Sequence, residues 1–253
     1  MNADKVKLQG GERLEPLGSG ISVIVSDENH FSTDTILLAD FSAPKKHERV
    51  LEFGTGCGAI SLIWCRGIPP KSIISVDIQK AACDMLERSV RLNALGEIIT
   101  VINEDLKKLG GTIDAGSIDM IAMNPPYKLG GSGIVNENAA KQIARHETEC
   151  TTDDITRSAS YLLRFGGRLC LCQRPERLTD VLDSMRRSGI EPKKLRFVQQ
   201  RQSKAPKLFL VEGRRGGAPG GLVMLPTLLI EDEKGGFSTE MLSIYGDYKE
   251  GHV

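Results

Sequence analysis

Arg49-Val50-Leu51-Glu52-Phe53-Gly54-Thr55-Gly56-Cys57-Gly58 is an apolar run that breaks into glycines at every second position, and its reading decides the architecture. Arg49 to Phe53 reads as a buried strand. Ala59 to Arg66 reads as the helix after the turn, stopped by Gly67 and Pro69-Pro70. Glycines between them permit a tight turn and let a ligand approach the backbone closely. The helix amino terminus adds unpaired N–H groups facing the same space.

Working outward, strands and helices alternate. Ser72 to Ile78 reads as a strand, Lys80 to Asn93 as an amphipathic helix ended by Gly96, and Ile98 to Asn103 and Ile118 to Met123 as strands. Thr151-Thr152-Asp153-Asp154 reads as the N-cap of a helix running to Phe165 and closed by Gly166-Gly167. Arg168 to Gln173 follows as a strand, Pro175 to Ser188 as a helix with Pro at its first position, and Leu195–Gln199 with Leu208–Glu212 as a strand pair. The tail reads as a hairpin around Glu231-Asp232-Glu233-Lys234-Gly235-Gly236 and then a short helix. This alternation predicts an α/β protein with a mostly parallel sheet and right-handed crossovers. We expect one domain over 1–253, with an N-terminal extension at 1–45, a core at 46–215 and a C-terminal addition at 216–253.

Three strand ends converge on a nucleoside ligand. The first is the glycine turn. The second is Asp77, whose carboxylate can accept both hydroxyls of a ribose. The third is Asn103-Glu104-Asp105-Leu106, where Asp105 can accept from an exocyclic amine and Leu106 can pack on a purine face, with Ile78 on the other face. Gly54, Gly56 and Ala59 also fit the dinucleotide fingerprint loosely. Glu52 points away from it. A carboxylate is unfavourable beside a pyrophosphate and favourable beside the ammonium of a methionine moiety.

The fourth strand end is Asn124-Pro125-Pro126-Tyr127. Ligands of open α/β sheets bind at such carboxyl ends. The Asn124 amide oxygen and the Pro125 carbonyl can each accept a hydrogen bond from one NH2 group. Proline fixes φ and brings no donor of its own. The Tyr127 ring offers a stacking face for a flat nitrogenous substrate.

Composition bounds the rest. The 253 residues carry 40% hydrophobic and 26% charged side chains, ordinary for a globular protein. No run approaches the roughly 18 apolar residues that span a bilayer, and the start of the chain lacks a signal-peptide stretch. The expected location is the cytoplasm. The six cysteines show no CxxC pair and no histidine at zinc-ligand spacing, so free thiols and no metal are expected. Net charge is zero, yet Arg164 to Arg215 holds 14 Lys or Arg against 5 Asp or Glu. A basic sector on a neutral chain suggests a polyanion partner, with Lys193 and Lys194 among the cations that would meet it.

Taken together these motifs resemble the class I S-adenosylmethionine-dependent methyltransferases, specifically the amino-methyltransferases with an Asn-Pro-Pro-Tyr motif. The chain is most similar to the bacterial tRNA(Val) adenine-N6 methyltransferases. The resemblance covers at least residues 31–173. Phe31-Ser32-Thr33-Asp34-Thr35-Ile36-Leu37-Leu38-Ala39, Ala144-Arg145-His146-Glu147 and Leu225-Pro226-Thr227-Leu228-Leu229-Ile230 carry the closer match. The family's paired prolines before the tail's apolar run stand here as Leu225-Pro226.

The resemblance implies a Rossmann-like, seven-stranded, mostly parallel sheet with helices on both faces. It also implies S-adenosylmethionine as cofactor. Thr33, Asp34 and Glu52 would lie at the methionyl end of the cofactor, Gly54, Gly56 and Gly58 would make room for it, Asp77 would hold its ribose and Asp105 its adenine. Asn124 would grip the target amine and Tyr127 would stack on its base. Pro126, Arg145 and His146 would contact substrate. The expected reaction is methyl transfer to the N6 amine of an adenine in the anticodon loop of tRNA. The glycines at 130, 131 and 133 would let the following segment close over the base. The alternatives are ribosomal RNA adenine, a protein glutamine amide, DNA adenine and an inactive RNA-binding module. The glutamine enzymes usually carry a helical bundle longer than the 45 residues ahead of the first core strand, and the DNA enzymes a separate base-reading module.

Overall fold

The computed structural model describes residues 6–125 and 150–249. It begins with a hairpin, β1 (Arg13–Gly18) and β2 (Ile21–Val25), and the helix α1 (Thr33–Ser42). The core follows as β3 (Arg49–Phe53), α2 (Ala59–Ile63), β4 (Ser72–Asp77), α3 (Lys80–Leu92), β5 (Ile99–Asn103) and β6 (Ile118–Met123). It continues with α4 (Thr152–Leu162), β7 (Leu163–Gln173), α5 (Leu178–Arg187), β8 (Ile190–Gln199) and β9 (Pro206–Arg215). Two short strands, β10 (Val223–Met224) and β11 (Leu228–Leu229), and the helix α6 (Thr239–Tyr245) complete it.

The sheet runs β5-β4-β3-β6-β7-β9-β8, with β10 and β11 both pairing along the outer edge of β8. All pairs from β5 to β7 are parallel, and β9 is antiparallel to both neighbours. The seven strands expected from the sequence are all present. Alternation along each strand sorts the core onto two faces. Val50, Met120, Ala122 and Cys170 join α1, α2 and α3 on one side. Leu51, Phe53, Ile121, Leu169 and Leu171 join α4 and α5 on the other. Strands buried on both faces read as largely apolar runs, and β3, β4, β6 and β7 do so apart from buried polar residues such as Glu52, Ser75 and Asp77.

Three elements depart from expectation. The helix before β7 ends at Leu162, because Leu163 turns extended and pairs with Ile118 in the sheet. The tail hairpin is reduced to one bridge, Glu231 to Phe237, and the residues ahead of it lie parallel to β8. The β1–β2 hairpin was not foreseen. It docks on α3, where Ser89 Oγ accepts from Ile24 N at 3.0 Å and Asn93 Oδ1 from Ser22 N at 2.9 Å. Arg88 reaches across to Glu12 at 2.6 Å, with both side chains buried. All six cysteines are free, and five are buried. Among the described residues no helix is long and apolar enough to cross a membrane, and no cluster of His, Cys, Asp and Glu is arranged to hold a metal.

Candidate active site

Register builds the site. Phe53 pairs with both Val76 and Met123, and Asp77 pairs with Asn103. The carboxyl ends of β3, β4, β5 and β6 therefore finish at nearly one level. Gly54, Asp77, Asp105 and Asn124 emerge side by side along that edge.

They line one crevice of about 260 Å³, close to the lower bound of roughly 300 Å³ for small-molecule sites. Gly54, Gly56, Asp77, Ile78, Asp105, Leu106 and Asn124, all among the expected site residues, line it. Val76, Gln79, Glu104, Met123 and Cys150 complete the lining. A larger groove lies between α4 and the 3-10 turn Leu106–Gly111, but it shares only Leu106 with the predicted set.

Each side chain has a local reason for its position. Gly54 and Gly56 adopt positive φ, at 62° and 53°, and a Cβ on Gly56 would meet no atom within 4 Å. The space over Gly56 is thus open to a ligand. Asp77 is buried, and each carboxylate oxygen accepts one backbone N–H: Gly56 at 2.8 Å and Gln79 at 2.9 Å. These two bonds lock its rotamer with the carboxylate at the crevice wall, a placement that suits a ribose diol. Asp105 caps the 3-10 turn by accepting from Lys107 N at 2.9 Å. Ile78 stays half exposed, an apolar face that a flat ring would cover.

Other predicted residues lie elsewhere. Gly58 is the left-handed N-cap of α2, with φ at 83°, and a Cβ there would come within 2.1 Å of Leu86 Cδ1. Packing against α3 by itself requires glycine there, and Gly58 stands outside the crevice lining. Glu52 alternates to the α2 face and is buried under the turn, outside the crevice lining. Its Oε2 accepts from Thr55 Oγ1 at 2.8 Å, Ser61 N at 3.1 Å and Ser61 Oγ at 2.5 Å. Desolvation pushes its pKa up to about 7 against the pull of the Ser61 and Thr55 hydrogen bonds.

Thr33 and Asp34 sit in the first turn of α1 rather than in the crevice lining. The N-cap is Ser32, with Thr35 completing a capping box. Thr33 Oγ1 meets Tyr245 Oη at 3.0 Å. The link to the site is a residue the sequence reading gave no role. Thr35 Oγ1 accepts from Asn124 Nδ2 at 3.4 Å. Nothing in the local sequence marks Thr35 for the site; its cap contact with Ser32 speaks only of the helix.

Lys193 and Lys194 stand in the first half of β8 and are turned from the crevice. Lys193 Nζ donates to the carbonyls of Ala218 at 2.6 Å and Gly220 at 2.5 Å, and Lys194 Nζ to Glu212 at 3.5 Å. Neither is brought together with the strand-end residues. Pro126, Tyr127, Arg145, His146 and the glycines at 130, 131 and 133 lie outside the described residues.

Strand order, crossovers and an acidic pair at the ends of β4 and β5 define a class I methyltransferase architecture. A solved structure of a predicted O-methyltransferase from Agrobacterium tumefaciens is similar, with a TM-score of 0.67 at 19% identity over 87% of this chain and 97% of that one. So is TYW2 of M. jannaschii in complex with AdoMet, with a TM-score of 0.57 at 12% identity over 83% and 89%. Residues 24–185 match the methyltransferase small domain, and the chain belongs to that family. Its relatives include the tRNA1(Val) (adenine(37)-N6)-methyltransferases of Tolumonas auensis, 29% identical over 71% of this chain and 73% of that protein, and of Parabacteroides distasonis, 24% identical over 85% and 89%.

Proposed function

We propose that this protein transfers a methyl group from S-adenosylmethionine to the exocyclic N6 amine of an adenine in tRNA. Relatives of that printed activity cover most of the chain, and the family is one of methyltransferases. The observation that carries the reading is that Asn124 shares one crevice with Gly54, Gly56, Asp77 and Asp105. The anticodon loop as target, the cytoplasm as location and residues 1–253 as one domain belong to the same reading.

Gly54 and Gly56 leave room for the cofactor, Asp77 accepts its ribose hydroxyls, Asp105 its adenine amine, and Ile78 and Leu106 enclose the ring. The cofactor supplies an electrophilic methyl on sulfonium. Glu52 lies behind the glycine turn, where its carboxylate favours a methionyl ammonium, through water, with Thr33 and Asp34 closing that end.

An adenine amine is a weak nucleophile because its lone pair is delocalised into the ring. The Asn124 amide oxygen and the Pro125 carbonyl accept its two N–H groups. This favours a pyramidal nitrogen whose lone pair points at the methyl, and it stabilises the positive charge that develops there. Orientation supplies much of the acceleration, and the proton leaves to water afterwards. Tyr127 and Pro126 hold the base by stacking, and Arg145 and His146 touch the RNA around it. A base in a single-stranded loop is splayed out at lower cost than one in a duplex.

The test incubates purified protein with radiolabelled S-adenosylmethionine and total RNA from a strain lacking it, followed by nucleoside analysis. N6-methyladenosine in the tRNA fraction is expected. Label confined to ribosomal RNA or to protein glutamine would refute the tRNA reading.

A further inference from the structure

The carboxyl edge of the sheet continues past Asn124 in the direction away from the cofactor crevice. Met123 pairs with Leu171, Gln173 with Phe209, Phe197 with Phe209 and Gln199 with Pro206. The loops after β7 and between β8 and β9 therefore project from the same edge as Asn124. They lie one to three strand spacings away, about 5 to 15 Å.

These two segments, 174–177 and 200–207, hold Arg174, Arg177, Arg201, Lys204 and Lys207 against one carboxylate, Glu176. Neighbouring carboxylates offset part of this, since Arg177 pairs with Asp180 and Arg201 with Glu231. Arg174 Nη1 donates to the carbonyl of Lys207 at 3.4 Å, which ties the loops together. Lys207 is exposed, and its Nζ donates to the neutral amide of Gln200 at 2.8 Å, with the Glu231 carboxylate near enough to feel its charge. Lys204 is exposed. The basic sector expected over Arg164 to Arg215 thus reaches the site edge through these residues and not through Lys193 and Lys194.

We infer that the paired loops 174–177 and 200–207 are the phosphate-contacting surface of the substrate RNA, flanking the nucleotide whose base enters at Asn124. This rests on the RNA reading above. A methylated base hangs from a polyanion, and phosphates flanking it must pass within a few nucleotides of the acceptor pair. The cofactor crevice occupies the β3–β4–β5 side of Asn124. On the β7–β9–β8 side the two loops present five cations, beside the acidic stretch Glu231-Asp232-Glu233 that packs on Gln200. Lys204 and Lys207 are the exposed lysines among them. Lysines that contact phosphate bind through charge and release counterions, so their signature is salt dependence.

The experiment measures binding of unmodified tRNA1(Val) transcript by fluorescence anisotropy over a KCl series. It compares wild type with Lys204→Glu/Lys207→Glu and with Lys46→Glu/Lys71→Glu. The second pair makes the same charge change at exposed positions on the opposite edge of the sheet. The first double variant is expected to bind about tenfold more weakly, with a log–log salt slope shallower by roughly 1.5. Its melting temperature and S-adenosylmethionine affinity should stay at wild-type values. The second pair should bind as wild type does. Equal weakening by both pairs, or wild-type affinity and slope in Lys204→Glu/Lys207→Glu, would overturn the inference. Wild-type protein that labels no RNA would instead overturn the proposed function itself.

Discussion

Asn124 Nδ2 donates to Thr35 Oγ1 at 3.4 Å, joining the end of β6 to the first turn of α1 across 89 positions of sequence. The bond occupies the nitrogen end of the amide, so the oxygen lies at the end away from Thr35. Thr33, two residues earlier, is held by Tyr245 Oη at 3.0 Å, so the C-terminal helix buttresses the same turn. An amide free to flip would present a donor to the target amine half the time, where only an acceptor helps.

Thr35→Val should therefore lower kcat roughly fivefold to tenfold, the worth of one hydrogen bond of about 1 kcal/mol. Cofactor affinity should hold, and Thr35→Ser should restore the rate. Steady-state kinetics with separate calorimetric binding checks this. A matched fall in cofactor affinity would place Thr35 in the cofactor crevice instead. Asn124→Ala should cost more, about a hundredfold or beyond in kcat, because it deletes the acceptor itself.

Asp77→Asn should weaken S-adenosylmethionine binding by tenfold or more, since a charge-assisted hydrogen bond is worth about 1.5 to 3 kcal/mol. The change also places an NH2 group against one of two backbone donors, Gly56 N or Gln79 N, which the native carboxylate satisfies. Titration calorimetry measures the loss, and near-native affinity would remove Asp77 from the ribose.

Glu52 should make cofactor affinity pH-dependent. Burial raises its pKa from 4.5 to about 7 in the folded protein. The folded state holds the proton more tightly than the unfolded chain. The stability this contributes is fully present below about 4.5 and lost as pH rises through about 7. Binding of a methionyl ammonium draws on the ionised form, so affinity should rise with pH through the same window. Glu52→Gln should flatten both profiles. Calorimetric titrations at a series of pH values decide it; an unchanged profile in the variant would assign the titration to another group.

Arg88→Ala should destabilise the fold by about 3 to 5 kcal/mol, because it strands a buried carboxylate, Glu12, without its partner. The Arg88 hydrogen bond chiefly holds the Glu12 pKa below its ordinary 4.5. That part of the stability is present above about 4.5 and lost as pH falls through the lowered value. Chemical denaturation of wild type and variant at neutral and acidic pH should show the gap narrowing in acid.

What the sequence determined by itself was local. A run of apolar residues buried on both faces, a glycine with positive φ and an acid or amide just past a strand end are legible because each depends on its near neighbours. Gly54, Gly56, Asp77, Ile78, Asp105, Leu106 and Asn124 were found that way, and the crevice gathers all seven. Tertiary structure decided whatever depends on partners distant in sequence. Leu86 gives Gly58 its reason, Ile118 draws Leu163 out of its helix, and Glu212 and two carbonyls turn Lys194 and Lys193 aside. Thr35 meets Asn124 only after β6 has joined the sheet beneath α1. Charge and periodicity are written in the chain, but the direction a side chain finally faces is set by strand register, which packing between remote segments selects.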